Sequence, residues 1–379
     1  MKPVATRTWA VVACLIGTGG LLAPALAQKA PKAPNAPYLK LAEPWPDADK
    51  LRERKVEAEN RPLFASDEPL ALVLTADFRA VNRDRTEGSA NRYPATFSVG
   101  GSTAFPIAVN LGTRGHFRLR QASCTWTPLR VEFQKKKTAG TVFEGQSALK
   151  LVTHCRDNND FEQHVLREYL AYRIHGLIAR IAFRSRLAKI TYVDTATGKP
   201  LTTRYGMFLE DDGDVARRAE ARSIELPRIL FKDLDPEALT TMALFEYMIG
   251  NTDVSILKLH NVKLIVNQAR TIYPVPYDFD FSGLVGAPYA HPDPKLGIAT
   301  VQDRLYRGPC RSEAELEPVL GRFRGQKAEI MALYDSLPDL TPSSRKQARS
   351  YLEEFYSIVE RKDRVKKAFV DGCVRAPGM

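Results

Sequence analysis

The sequence predicts an α+β protein with a β-rich first part and a mainly helical second part. Between residues 67 and 212, short apolar or alternating runs are separated by Gly, Asn or Lys turns, which is typical of a mostly antiparallel sheet. Between residues 213 and 379, apolar residues recur mainly at helical spacing. The length beyond the leader allows one large or two medium domains.

The chain begins with the features of a secretory signal peptide, which we assign to residues 1–27. A basic start precedes an apolar run over residues 9–23, and Ala25-Leu26-Ala27 is an A-x-A cleavage signal. That run is too short and too Gly-rich for a membrane span, and no later stretch is long and apolar enough. Residues 11–14 resemble a lipobox, but they lie before most of the apolar run. We therefore expect an exported protein, periplasmic or extracellular.

Residues 28–66 are Pro-rich and then charged, which predicts a linker. Four cysteines remain after cleavage, and an even number in an exported chain favours two disulfides. We expect the pairs Cys124–Cys155 and Cys310–Cys373, because each pair falls in one predicted part. The cysteine spacings match no zinc motif.

The charge of the chain indicates an anionic partner. The formal net charge is +11, and it falls to +9 once Lys2 and Arg7 leave with the signal peptide. Such a balance suits a nucleotide, a phosphorylated or acidic polymer, or a membrane surface. No basic block with interleaved aromatic residues stands out, so nucleic acid is not an expected partner.

Residues that carry chemistry are concentrated between positions 250 and 281. A helix is predicted to begin at Asp235-Pro236 and to end at Gly250. Residues 262–266 then alternate like a strand, 267–270 suit a turn, and 271–277 suit a return strand. The open end of such a hairpin would bring Asn261 beside the residues just before Asp278.

Four oxygen-bearing side chains are therefore predicted to share one small volume: Asp253, Asn261, Asp278 and Asp280. Hard oxygen ligands suit Mg²⁺ or Mn²⁺, and a further Asp suits a general base. A phosphoryl-transfer site needs both functions. The other interpretation is that these are turn, cap and exposed loop residues. Phe279 and Phe281 argue against it, because they alternate with the acids and indicate a chain buried on its other side.

Two further positions suit contact with a nucleotide. Lys150 lies in a predicted strand and Glu168 in the amphipathic helix predicted over residues 161–178. A strand Lys that touches phosphates, steadied by a helix Glu, recurs in kinases, but any exposed Lys and Glu could fit this pattern. Arg114, near a strand start, is a candidate phosphate contact. Residues 99–103 are another, although a hairpin turn is the preferred interpretation there.

The stretch from about 67 to 335 resembles the CotH kinase-like family of exported atypical kinases. Five passages carry the similarity. Four of them are Thr113-Arg114-Gly115 in a strand region, the strand pair 129–133 and 148–153, the helix that begins at Phe161, and the hairpin end from Tyr205 to Glu210. The fifth is a three-part core that consists of Asn251-Thr252-Asp253, His260-Asn261 and Tyr277-Asp278-Phe279-Asp280. The resemblance implies a two-lobed atypical protein-kinase-like fold, with an antiparallel β-rich N-lobe at 67–212 and a mainly helical C-lobe at 213–379.

The resemblance also implies roles for individual residues. Asp253 would be the catalytic base. Asn261 and Asp278 would bind the metal, with Asp280 as an alternative or second ligand. The expected nucleotide contacts are Lys150 with its partner Glu168, Arg114, and Glu210 at a hinge that meets the adenine.

The expected function is transfer of phosphate from ATP or another nucleotide to a protein or other hydroxyl, with Mg²⁺ or Mn²⁺. Free ATP is scarce outside the cytoplasm, so another donor stays open. One alternative is a non-catalytic cell-envelope binding or assembly module. A less favoured alternative is a metal-dependent phosphohydrolase, because the sequence lacks a His-rich or two-metal ligand set.

Overall fold

Seven strands from the first half of the chain close into a β-barrel. A computed structural model describes residues 41–100 and 106–375, so the predicted signal peptide, part of the linker and most of the 99–103 turn lie outside the described residues. The barrel strands are β1 (Leu70–Ala76), β2 (Tyr93–Val99), β3 (Ile107–Thr113), β4 (Leu129–Phe133), β5 (Ala148–Val152), β6 (Ser185–Asp194) and β7 (Pro200–Leu209). Their order around the barrel is β1-β2-β3-β4-β5-β7-β6.

The predicted two-lobed kinase-like fold, with an antiparallel β-rich N-lobe and a mainly helical C-lobe, is wrong. β1 pairs with β6 in parallel, with Leu72 opposite Ile190, and this pair closes the strands into a mixed barrel. The other neighbours in the barrel are antiparallel. Alternation of apolar residues marks a strand and its buried face, but it does not name the partner strand. The sequence alone therefore could not predict that β1 pairs with β6.

The barrel is filled by side chains from alternate positions of its strands. Phe97, Phe143 and Phe208 have no exposed surface. The Phe97 and Phe143 rings stack with centroids 5.4 Å apart, and Phe208 meets Phe143 edge-on at the same separation. These contacts make the barrel a packed core, so it positions the surrounding elements rigidly.

The helices of the first half are α1 (Ala48–Glu59), α2 (Phe78–Arg83), α3 (Lys135–Thr138) and α4 (Asn159–Ile178). α4 begins after Asn158, whose side chain accepts a hydrogen bond from the Phe161 N–H at 3.0 Å. It packs against β6 and β7. Glu168, Tyr172 and His175 are all buried on this helix.

The second half combines helices with a small antiparallel sheet. Its elements are α5 (Asp212–Arg218), β8 (Arg222–Ile224), α6 (Pro236–Ile249), β9 (Val262–Val266), β10 (Ile272–Pro276), α7 (Glu313–Gly325), α8 (Lys327–Asp335), α9 (Pro342–Val359), α10 (Lys362–Val365) and a π-helical turn (Lys366–Asp371). The sheet order is β10-β9-β8. α9 ends at Val359, and α10 begins at Lys362.

The predicted ends of α6 are confirmed. The Asp235 side chain accepts a hydrogen bond from the Ala238 N–H at 2.8 Å, and Pro236 occupies the first turn. Gly250 ends the helix with a φ of 66°, a left-handed conformation that glycine adopts without a steric penalty. The fixed end of α6 delivers the chain to Asp253.

Both predicted disulfides are confirmed. Cys124 is bonded to Cys155, and Cys310 to Cys373. Two disulfides are compatible with an exported chain. Over the described ranges, no helix is long and apolar enough to cross a bilayer.

Candidate active site

The β9–β10 hairpin brings Asn261 beside Tyr277, the residue just before Asp278, as predicted. Val262 lies opposite Pro276, and the Tyr277 N–H donates a hydrogen bond to the Asn261 carbonyl at 3.0 Å. Asn261 has a φ of 53° and Asp278 a φ of 66°. Asn and Asp tolerate this left-handed conformation better than other non-glycine residues. The sequence therefore supplies suitable residues for the sharp bends just before β9 and just after β10, at the open end of the hairpin.

The Asp253 carboxylate is held by two neighbours. Asn261 Nδ2 donates to Asp253 Oδ2 at 3.0 Å and to the Asp253 carbonyl at 2.8 Å. His260 Nε2 lies 3.1 Å from Asp253 Oδ1. This hydrogen bond, helped by the negative charge of Asp253, raises the pKa of His260. The Asp253 side chain keeps 40% of its surface exposed, so a substrate group can reach it.

Three carboxyl groups form an acidic cluster: Glu168, Asp278 and Asp280. Burial, and after it the charge of Asp278, raise the pKa of Asp280 to about 7. Burial also raises the pKa of Glu168 well above its usual value, with added effects from Asp280 and Asp278. Glu168 Oε1 has no hydrogen-bond partner in the described part of the chain. Glu168 and Asp280 therefore hold protons more readily than free carboxyl groups, which reduces the negative charge of the cluster.

Three cationic side chains lie around the acidic cluster: Arg114, Arg118 and Lys150. The Arg118 guanidinium donates to the Thr153 carbonyl, and it is attracted to all three acids of the cluster. Lys150 Nζ lies 4.0 Å from the centroid of the Tyr277 ring. Burial, and after it the charge of Arg114, lower the pKa of Lys150 to about 8, while Asp278 opposes the shift. Lys150 and Arg114 are thus partly desolvated cations beside the acids.

Two predicted contacts differ from the arrangement in the structure. Among the described residues, no ion pair joins Lys150 to Glu168, and Glu168 is instead attracted to Arg118 and Arg114. The Glu210 carboxylate accepts hydrogen bonds from Arg184 and Arg218, each at 2.7 Å. Both of its oxygens are engaged by these two guanidinium groups. Glu210 therefore has a structural role as an ion-pair centre.

Three site residues escaped the sequence analysis: Arg118, Tyr172 and Tyr289. Tyr172 Oη accepts a hydrogen bond from the Asp278 N–H at 2.8 Å. Tyr289 Oη donates to Asp280 Oδ2 at 3.0 Å. Arg118 belongs to a segment that alternates like a strand but forms a 3₁₀ turn at Phe117–Leu119. No motif or periodic pattern marked any of the three as a site residue.

No known family model matches this chain, and no curated protein does. The resemblance to the CotH kinase-like family therefore stays a prediction.

The side chains at the hairpin end suit a hard divalent cation, although they do not form a complete cage. In the described ranges, no group of three acidic, His or Cys side chains could hold a metal ion by itself. Mg²⁺ is usually held by one or two carboxylates together with phosphate oxygens of a substrate. Asn261 uses its Nδ2 on Asp253, which leaves Oδ1 for a cation. The metal-ligand roles of Asn261 and Asp278 therefore stay predictions.

A buried acid behind this site gives a testable pH effect. Glu246 on α6 is 5% exposed, and neither carboxylate oxygen has a hydrogen-bond partner in the described structure. Burial raises its pKa to about 8 from a usual 4.5, and the nearby Asn251 amide opposes this shift. A raised folded-state pKa gives stability that is fully present below pH 4.5 and lost as the pH rises towards 8. The loss is on the order of 3 kcal/mol by pH 7.

Replacing Glu246 by Gln removes this titration. We expect the melting temperature of Glu246→Gln to exceed that of wild type by an amount that grows between pH 5 and pH 8. Thermal unfolding followed by circular dichroism measures this difference. Glu329→Gln, at an exposed position of α8, is the matched control. A difference that stays constant with pH would contradict this account of Glu246.

Proposed function

We propose that this chain binds a nucleotide with Mg²⁺ or Mn²⁺ and transfers its terminal phosphoryl group to a hydroxyl of a protein or another acceptor. One observation supports this most. Asp253, Asn261 and Asp278, from separate stretches of sequence, meet at the end of the β9–β10 hairpin beside the cation Lys150. Positioning and charge neutralisation are the main requirements of phosphoryl transfer.

Asp253 is the proposed general base. Its carboxylate is oriented by Asn261 on one oxygen and by His260 on the other. Its exposed edge can accept a hydrogen bond from an acceptor hydroxyl and then take the proton as the oxygen attacks phosphorus. His260 is proposed to hold the carboxylate in place, because its Nε2 contacts the same side chain.

Asn261 and Asp278 would hold the divalent ion, with Asp280 as a further ligand. The ion would neutralise charge on the phosphate oxygens. Lys150 and Arg114 add positive charge from the barrel side, where β5 carries Lys150 opposite Leu209 of β7. A desolvated cation interacts more strongly with phosphate than one in bulk water. The surplus positive charge of the chain favours the same class of ligand.

The resemblance to the CotH kinase-like family supports the proposal from the sequence side, without the two-lobed fold. Export follows from the predicted signal peptide and is compatible with the two disulfides. Because free ATP is scarce outside the cytoplasm, the donor can be another nucleotide.

A binding module without catalysis is the second candidate function. It is favoured by one observation: Glu168 does not pair with Lys150 but lies among Arg118, Asp278 and Asp280. A site that binds a nucleotide without aligning it for transfer would tolerate this arrangement. Nucleotide binding without turnover is the expected behaviour of such a module.

Phosphoryl transfer by the oxidised chain of residues 28–379 tests the two candidates. We expect label from γ-³²P-ATP or γ-³²P-GTP to reach the protein itself or casein in the presence of Mg²⁺ or Mn²⁺, and not in EDTA. Label released only as inorganic phosphate would favour the phosphohydrolase alternative. Metal-dependent nucleotide binding with no transfer would favour the binding module and contradict the kinase proposal.

A further inference from the structure

Two adjoining cavities lie apart from the acidic cluster, at the C-terminal end of α4. The first has a volume of about 140 Å³ and the second about 220 Å³. Both are lined by Arg180, Ile181 and Tyr273, and we call the two cavities together the Arg180 groove. No residue of the acidic cluster lines either cavity. Cavities of this size are smaller than the pockets that hold drug-sized ligands, so they suit only a small ligand.

The first cavity of the Arg180 groove has an apolar patch in a wall that also carries the acids Asp235 and Glu237 and the cations Arg180 and Arg322. Met242 and Ala238 of α6 line it together with Ile181 and the Tyr273 ring. Its floor includes His175, which is 2% exposed and whose Nδ1 has no hydrogen-bond partner among the described residues. An aromatic or branched apolar group would remove this surface from water.

The second cavity is bordered by more positive than negative charge. Its cations are Lys55, Arg180 and Arg218, and its one acid is Glu220. Glu220 pairs with Lys55 at 3.5 Å, and Arg218 pairs with Glu210 at 2.7 Å. Glu210 also pairs with Arg184, so one carboxylate is shared by two arginines. The second cavity therefore favours an anion.

Arg180 lines both cavities. Within the described ranges, its side chain makes no ion pair and no hydrogen bond, and the residue is exposed. Arg322, which also lines the first cavity, is by contrast held by Glu237 and by the Ile178 carbonyl. Arg180 can thus meet a carboxylate or phosphate without giving up another contact.

We propose that the Arg180 groove binds a small amphipathic anion, with its apolar body against Met242, Ala238 and Tyr273 and its acidic group on Arg180. The ligand class is an aryl or branched alkyl carboxylate or phosphate monoester. The site is independent of the proposed phosphoryl transfer, because it shares no residue with the acidic cluster. It is a second binding site of this protein.

Calorimetric titration of the oxidised chain with 4-phenylbutyrate tests this inference. We expect saturable binding to wild type, and binding at least about tenfold weaker to Arg180→Glu, because the substitution replaces attraction by repulsion. Ala238→Phe should also weaken binding by filling the apolar cavity. The neutral analogue 4-phenylbutanol should bind more weakly than the anion.

Arg79→Glu is the matched control, since Arg79 is exposed on α2, away from the groove. This substitution changes the net charge by the same amount as Arg180→Glu. The inference is overturned if wild type binds 4-phenylbutyrate without saturation. It is also overturned if Arg79→Glu weakens binding as much as Arg180→Glu does, or if the neutral analogue binds equally well.

Discussion

Asp253→Asn is expected to slow phosphoryl transfer by about 100- to 10,000-fold, the usual contribution of a general base. The substitution keeps the size of the side chain and removes its ability to take a proton. Nucleotide affinity should stay nearly unchanged, because the proposed ion ligands are Asn261 and Asp278. Single-turnover transfer at saturating nucleotide, together with equilibrium binding, separates these two quantities.

Asp371→Asn is the control for this experiment, since Asp371 is exposed in the C-terminal π-helical turn. It should transfer phosphate at the wild-type rate. A result in which Asp253→Asn transfers as fast as the control would remove Asp253 from the mechanism. A loss of nucleotide binding in Asp253→Asn would instead assign Asp253 to the binding of the ion or the nucleotide.

Asp278→Asn is expected to weaken metal-dependent nucleotide binding by about tenfold or more, because a charged ligand of a hard cation becomes neutral. Asn is preferred to Ala here, since Asp278 has a φ of 66° and Asn tolerates that conformation. The backbone N–H of residue 278 can still donate to Tyr172 Oη. The loss should therefore reflect the missing charge and not a rebuilt hairpin.

The metal dependence of Asp278→Asn distinguishes a ligand from a structural residue. We expect its remaining nucleotide affinity to be the same in Mn²⁺ and in EDTA. Its circular dichroism spectrum and melting temperature without ligand should match those of the folded wild type. If Mn²⁺ strengthens nucleotide binding by the same factor in Asp278→Asn as in wild type, then Asp278 does not hold the ion.

Much of the local structure could be predicted because short-range rules decide it. The cap at Asp235 and the left-handed Gly250 follow from steric and hydrogen-bonding preferences of single residues. The β9–β10 hairpin follows from alternation around a polar turn. These elements are the ones that carry Asp253, Asn261 and Asp278, so the sequence could place the three residues together.

The closure of the barrel could not be predicted, because it depends on pairing between distant segments. β1 and β6 are separated by more than one hundred residues, and each alternates in the same way whether its partner is parallel or antiparallel. The segment around Phe117 shows the same limit at short range. It alternates like a strand but forms a 3₁₀ turn that places Arg118 near the acids.

The environment of Glu168 was also beyond the sequence. A Lys on a strand and a Glu on a helix suggested a pair, but Arg118 and the acids of the hairpin are the groups that act on Glu168. Likewise, Glu210 was predicted at a hinge because the sequence did not reveal its ion pairs with Arg184 and Arg218. Such ion pairs depend on packing between elements, which no local pattern encodes.

Metal-dependent nucleotide binding is the central claim, and one titration tests it most directly. The oxidised chain of residues 28–379 is titrated with a fluorescent ATP analogue and with the corresponding GTP analogue, each in Mn²⁺ and in EDTA. The account predicts saturable binding of at least one nucleotide that Mn²⁺ strengthens about tenfold or more. Equal affinity in Mn²⁺ and EDTA, or no saturable binding of either nucleotide, would contradict it.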